Sequence, residues 1–187
     1  EKTKIAHTLE EYEGNQPGFD FLGFNVRQYK GSTSKKGYRT LIKPSHKSIK
    51  THYRKLADIC DSHKSAPVEA LITRLSPVIR GWANYFSTQV SKDIYSKLDH
   101  LLWRRLWRWA SRRHPDKSAT WVKKKYFPRV GTRNWILNKG KRILNLHADV
   151  PIVRHIKVRD NKSPYDGDWT YWSSRIGKHP GVRKEVT

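Results

Sequence analysis

Acidic residues are scarce in this chain. Sixteen Asp plus Glu stand against 39 Lys plus Arg, and the formal charge is +23 over 187 residues. Sulfur is scarcer still. One cysteine, Cys60, excludes an internal disulfide framework and any zinc site built from several thiolates. There is no methionine and the chain opens on Glu1, so a piece of a longer polypeptide is expected. Long apolar runs are missing: none approaches the roughly 18 residues of a membrane span, and the acidic start is unlike a signal peptide. There is no glycine-rich phosphate loop and no Ser/His/Asp arrangement of defensible spacing. What is present is 36% hydrophobic and 12% aromatic residues, too apolar for a disordered basic tail and enough to bury a core.

A positive charge of this size on a folded chain points to nucleic-acid phosphate, because each neutralised phosphate releases condensed counterions. A membrane surface is disfavoured, since the amphipathic helices use their apolar faces internally. The charge is also unevenly placed. Residues 1–20 carry two lysines and five acids, whereas residues 101–142 carry fourteen Lys or Arg and the single acid Asp116.

Hydrophobic periodicity gives a mainly α chain with some β. Phe19 to Gln28 is dense in large apolar groups, which predicts a strand covered on both faces with a bend or close approach at Gly23. Lys30 to Gly37 reads as a hairpin loop and Tyr38 to Lys43 as the return strand. Three helices follow. The first runs from an N-cap at Ser45 to His63, with Ile49, Tyr53, Leu56, Ala57 and Cys60 inward and Lys47, Lys50 and Arg54 as a separate stripe. The second opens at Ser65, has Pro67 in its first turn, and keeps Val68, Leu71, Ile72, Leu75, Ile79, Trp82 and Phe86 on one face; Pro77 should kink it. The third runs from Ser91 to about Arg113, with Ile94, Leu98, Leu101, Leu102, Leu106 and Trp109 inward. Short connections predict an antiparallel three-helix bundle. Ser118 to Phe127 reads as a short helix closed by Pro128. Asn134 to Leu137 and Val150 to Val158 read as β-like runs, and Asp160 to Gly167 as a polar loop. A boundary is expected near 115–117, giving a bundle over 44–116 and a small α+β basic region over 117–187.

The candidate binding residues are basic. Arg104, Arg105, Arg108 and Arg112 share a side of the third helix with few acids near them in sequence, which favours a phosphate-tracking face over a merely solvated one; Trp103 and Trp107 beside them are read as core. Lys123, Lys124 and Lys125, then Arg129 and Arg133, form a second cluster, although a lysine triplet often serves only solubility. In Arg80-Gly81-Trp82-Ala83-Asn84-Tyr85-Phe86, Gly81 is expected to admit a neighbouring backbone, and Trp82 and Phe86 to anchor the core. Arg80 and Asn84 lie one turn apart, in reach of a phosphate or base edge, but the segment reads first as a packing element. Catalytic constellations are poor. His46 and His52, or His147 and His155, lack the spacing of helical metal ligands, and Asp160, Asp166 and Asp168 fit a turn better than a Mg²⁺ site.

Two motifs together resemble the group II intron-encoded reverse transcriptase/maturase family: Phe19-Asp-Phe-Leu-Gly-Phe24 and, about sixty residues on, Arg80-Gly-Trp-Ala-Asn-Tyr-Phe86. The first resembles the primer-grip hairpin that ends the palm, centred on Phe21, Leu22 and Gly23. The second resembles the hallmark helix of the maturase-specific, or X, region, which doubles as the polymerase thumb. Glu1 to Ile5 is similar to the segment entering the hairpin. Lys123 to Phe127 and Ser163 to Asp168, with Tyr171 and Trp172, look like the stretch leading to the family's DNA-binding region. The resemblance implies that residues 1–43 end a palm, 44–116 form the thumb/maturase bundle, and 117–187 form a DNA-binding region ahead of an endonuclease carried by many members. It implies intron RNA, a DNA target, a primer–template duplex and the rest of the same polypeptide as partners, in a bacterial cytoplasm or an organelle. Catalytic aspartates and their Mg²⁺ would belong to the parent polymerase; no catalytic residue, metal or cofactor is assigned to this chain. The implied role is RNA binding and primer–template clamping in splicing, target-primed reverse transcription and retrohoming. The alternatives are a stand-alone structural RNA-binding protein, or a Mg²⁺-dependent nuclease using Asp160, Asp166 and Asp168.

Overall fold

The computed structural model describes residues 5–31, 37–153, 158–159 and 161–176. Glu1 to Lys4, the middle of the expected hairpin loop at 32–36, His155 and Asp160 lie outside the described residues, as does part of the 150–158 run.

The chain opens on a three-stranded antiparallel meander: β1 (Phe19–Phe21), β2 (Phe24–Lys30) and β3 (Tyr38–Pro44). The single strand expected over 19–28 is therefore two. Leu22 and Gly23 have φ of 48° and 80°, the pair of positive values that a two-residue turn needs to match strand twist, and Phe21 pairs directly with Phe24 across it. Nor is the strand covered on both faces, since Phe21 is 62% and Leu22 69% exposed.

Three long helices follow: α1 (His46–Ser62), α2 (Val68–Phe86) and α3 (Lys92–Arg112). Ser45 caps α1 as expected, its Oγ accepting from Ser48 N, a contact worth about 1 kcal/mol. The cap of α2 is Pro67 rather than Ser65. Proline there needs no hydrogen and presets the entry angle. The helix continues through Pro77 as one element. Ser91 precedes α3, but its hydroxyl donates to the Phe86 carbonyl and so closes α2 instead.

The helices run up, down and up. Arg113, just past the end of α3, donates to the Lys64 and Ala66 carbonyls between α1 and α2, and Tyr95 near its start donates to Ala83 near the end of α2. The main core joins Leu56 and Cys60 of α1 with Leu71, Ile72, Leu75 and Ile79 of α2 and Leu102, Leu106 and Trp109 of α3. A second cluster, Ala83, Phe86 and Tyr95 with Phe24 and Trp82, sits where the meander meets the bundle.

The composition change at 115–117 does not interrupt the core. Helix α4 (Ala119–Tyr126), capped by Ser118, sends Val122 and Tyr126 into the main cluster, and Phe127, Ile136, Leu137 and Leu144 follow. The β-like run at 134–137 is irregular, with Trp135 at φ 67°; the pairing comes just after it, between β4 (Asn138–Lys139) and β5 (Arg142–Ile143). No strand forms among the described residues of 150–158. A short 3-10 turn covers His147–Asp149, and a helix not expected from the sequence, α5 (Trp169–Ile176), closes the described chain.

Candidate nucleic-acid interface

The two motifs that lie sixty residues apart in sequence touch. Tyr85 Oη donates to the Leu22 carbonyl at 2.9 Å, and the Tyr85 ring stacks on Phe24 at 5.3 Å between centroids. Phe86 meets Phe24 edge-on at 4.7 Å, and the Gly23 carbonyl accepts from Ser45 N at 2.8 Å. The Phe21-Leu22-Gly23 turn is thus clamped to the ends of both α1 and α2 while its side chains project outward. Trp82 stacks on His52 at 4.6 Å and packs on Phe86 at 4.5 Å, consistent with an anchoring role. Gly81 departs from expectation. A Cβ built there meets nothing within 4 Å, so no neighbouring backbone of the described chain approaches it. Instead it borders a cleft of about 890 Å³ between the β1–β2 turn, α1 and α2, with Lys47, Lys55, His52 and Trp82 on its other sides. Arg80 and Asn84 are exposed on the adjoining surface.

At the opposite end of the bundle, where α1 and α3 finish together, a second cleft of about 700 Å³ is lined by Lys64, Arg105, Arg108, Arg112 and Arg113. One carboxylate, Asp61, faces these five cations. It ion-pairs with Arg105, which is the least exposed of the helix arginines. Arg113 is held by its two carbonyl contacts and lies over the Trp109 ring at 4.6 Å. Arg104, Arg108 and Arg112 are exposed. Cys60 lies in the floor, where burial pushes its thiol up to about 11, so it is no ready nucleophile. Of the four arginines expected to share a phosphate face, three remain open to solvent and Arg105 serves the α1–α3 junction.

The α1 stripe of Lys47, Lys50 and Arg54 is exposed along its length, and Lys123, Lys124 and Lys125 are exposed on α4. The α4 cluster is partly engaged. Lys123 sits over Trp135 at 4.4 Å and Lys125 over Trp121 at 4.6 Å; Arg133 pairs with Asp149, and Arg129 Nε donates to the Gly131 carbonyl. Trp103 and Trp107 pack against the core as expected, with Trp135 edge-on to both at 5.7 and 5.8 Å.

The loop aspartates are turned inward on their own segment. Asp166 accepts from the Ser163 and Asp168 amides and from Trp172 Nε1, and Asp168 accepts from Lys162 Nζ and Tyr171 N. These contacts hold both carboxyls below the usual range, the Asp168 amide acting most on Asp166 and Lys162 most on Asp168. Among the described residues no group of three or more His, Cys, Asp or Glu is arranged to hold a metal.

One polar cluster was not foreseen. His52 and His147, 95 residues apart, meet Nε2 to Nε2 at 2.8 Å in the interior. Asp99 of α3 accepts from His147 Nδ1 at 2.6 Å and from the His147 and Ala148 amides at 2.9 Å each. Burial above all, then the His147 and Lys55 charges, lowers the His52 pKa to about 3. Single-residue spacing carried no sign of this contact, because its two rings come from α1 and from the turn after β5.

The fold is a three-helix bundle with a meander clamped at one end and a cleft of cations at the other. Residues 49–127, from the first turn of α1 to the end of α4, match the family model of the group II intron, maturase-specific domain. That stretch holds the Arg80–Phe86 motif and is similar to a maturase-specific domain, in agreement with the resemblance of that motif; Phe19–Phe24 lies outside the matched residues. No curated protein matches it. Among the described residues no helix is long and apolar enough to cross a membrane.

Proposed function

We propose that this chain is the RNA-binding thumb/maturase segment of a group II intron reverse transcriptase, followed by DNA-binding residues, and that it supports intron splicing, target-primed reverse transcription and retrohoming. The observation that carries the reading is the α1–α3 cleft: five cations against one carboxylate, inside a segment matching the maturase-specific domain. Phosphate contacts of this kind supply affinity and register, and A-form RNA offers side chains chiefly phosphates and 2′-hydroxyls. The clamped Leu22–Gly23 turn suits a primer-gripping edge, since its exposed apolar side chains are presented on a fixed backbone. The parent polypeptide would supply the polymerase aspartates and their Mg²⁺. Intron RNA, target DNA and the primer–template duplex are the proposed partners. The inward-turned Asp166 and Asp168 argue against the nuclease alternative.

The test is affinity for a group II intron RNA as a function of salt. With six or more phosphates neutralised, affinity falls about 10³-fold from 50 to 200 mM salt. Arg108→Ala with Arg112→Ala lowers affinity and reduces the salt slope by about two contacts' worth, while thermal melting stays within about 1 kcal/mol of the parent. A flat salt response, or an arginine pair that melts the protein without touching affinity, sinks the reading.

A further inference from the structure

We infer that the groove between α2 and the β4–β5 hairpin takes a second phosphodiester backbone, so that one chain holds two nucleic-acid segments at once. The inference rests on the RNA-binding reading of the α1–α3 cleft and adds a segment on another face.

The hairpin lies along one row of α2. Glu69, Thr73, Ser76 and Arg80 recur at the spacing that stacks residues on one face of a helix. Three of the four meet a partner on the hairpin or just after it. Lys139 Nζ pairs with Glu69 at 3.4 Å, Arg142 donates to Thr73 Oγ1, and the Asn145 amide donates to Ser76 Oγ at 3.4 Å. The fourth, Arg80, is exposed and has no hydrogen bond or ion pair among the described residues. Across from it the hairpin reverses through Gly140 and Lys141, between the paired Lys139 and Arg142. Lys141 is likewise exposed and without a partner among the described residues.

Arg80 and Lys141 border one hollow of about 330 Å³ with Arg142, and no carboxylate lines it among the described residues. Thr73, Ser76 and Asn145 supply its polar groups, and Ile72, Pro77 and Ile143 the apolar remainder. A second hollow of about 580 Å³ shares Thr73 and Arg142 and extends the groove past the exposed Arg74 toward His63. Its one carboxylate, Glu69, is already answered by Lys139.

This lining is the set that holds a nucleic-acid backbone, whose phosphates and sugars are contacted by Arg, Lys, Ser, Thr and Asn. A membrane surface would need an apolar face free to insert, whereas Ile72 is buried in the main core. The groove is also separate from the first cleft. Residues of α1 and α3 build that cleft, α2 and the hairpin build this one, and no residue lines both. A chain with both sites therefore bridges two backbones. Phosphate contacts alone do not tell RNA from DNA, so both serve as probes.

The experiment uses the full chain with a short RNA duplex and the DNA duplex of the same sequence. Sedimentation gives a complex of one chain with two duplexes. Donor- and acceptor-labelled duplexes transfer energy when protein is scarce and lose the transfer when protein is in excess. Arg80→Ala with Lys141→Ala breaks no contact among the described residues and leaves melting unchanged. It weakens the second binding event about tenfold or more, lowers its salt slope by about two contacts' worth and abolishes the transfer, while the first event stays. Should that pair lower the melting temperature, Lys141→Ala alone, at the hairpin tip, still weakens the second event. Arg108→Ala with Arg112→Ala weakens the first event instead. Lys30→Ala with Lys97→Ala removes the same charge from exposed positions outside both sites and leaves both events in place. A second event with only one kind of duplex names the nucleic acid held; with both kinds, the backbone alone is read. One duplex per chain, a second event lost equally in the control pair, or an oligoglutamate peptide bound in preference to either duplex overturns the inference. A chain that binds no duplex at all overturns the RNA-binding reading itself.

Discussion

His52 decides more than its single position suggests. In an unfolded chain its imidazole takes a proton near pH 6.5, whereas in the folded protein it resists down to about 3. Between those values the unfolded state binds the extra proton, so the stability His52 contributes is present above about pH 6.5 and is lost as pH falls toward 3. The slope is at most about 1.4 kcal/mol per pH unit, or about 3 kcal/mol by pH 4.5, before carboxylates dominate. The groups facing the ring are His147, Asp99 behind it, and Lys55 on its own helix. Urea midpoints measured from pH 7 to 4.5 fall accordingly, and in His52→Phe the slope is shallower by one proton. His114 titrates in the same direction, lowered by desolvation and then by Lys125, but it is peripheral and adds little. None of this was legible in the sequence. Along the chain His52 has only His46 and His147 only His155 nearby, neither pair at helical ligand spacing, whereas the fold brings His52 and His147 together.

At the scale of elements, what the sequence revealed is what depends on near neighbours. Ser45 and Ser118 cap α1 and α4 as their positions imply, because capping involves a hydroxyl and an amide three residues on. Most of the inward rows of α2 and α3 follows from 3.6-residue spacing, but Tyr95 and Ala110 of α3 and Ala83 of α2 are buried more deeply than the expected Ile94, Leu101 and Trp82. Elements whose boundaries depend on backbone sign or on distant packing were missed: the Leu22–Gly23 reversal, the irregular path at Trp135, and α5. Gly81 shows the same limit. Its identity signalled that something passes close by, but among the described residues nothing lies within 4 Å of a Cβ placed there. The contact between hairpin and α2 gives a prediction at this scale. Tyr85→Phe keeps the ring on Phe24 but removes the bond to the Leu22 carbonyl. We expect a cost of about 1 kcal/mol, with the bundle's melting little changed. Amide exchange at Gly23 and Phe24 should speed up, while that in α3 stays as slow as before. Uniform acceleration across the chain would show that the hydroxyl supports the whole fold rather than the turn.

For the whole molecule, two distributions disagree in an informative way. Charge divides the chain sharply near residue 100, with cations crowded into 101–142, yet the apolar side chains draw no such line. A basic surface can be concentrated in one stretch of sequence while the core beneath it draws on every stretch. Residues Val122, Tyr126, Phe127, Ile136, Leu137 and Leu144 belong to the same cluster as Leu56, Leu75 and Leu106. The second cluster likewise receives Ala148, Val150 and Ile152 from beyond the bundle, and Lys92 on α3 donates to the Ala148 and Val150 carbonyls. Cutting after 116 would strip one side of the main core, and each large side chain lost costs about 2–5 kcal/mol. Over the six side chains after residue 116 this comes to about 12–30 kcal/mol, as large as or larger than the 5–15 kcal/mol by which a typical domain is stable. Residues 5–116 alone should therefore give a non-cooperative melt with exposed apolar surface, read by dye binding and loss of near-ultraviolet circular dichroism. The whole chain should melt in one transition whose calorimetric and van't Hoff enthalpies agree. Two separated transitions, or a cooperative fold in the truncated bundle, would mean that the segment after 116 rests on a finished core instead of completing it.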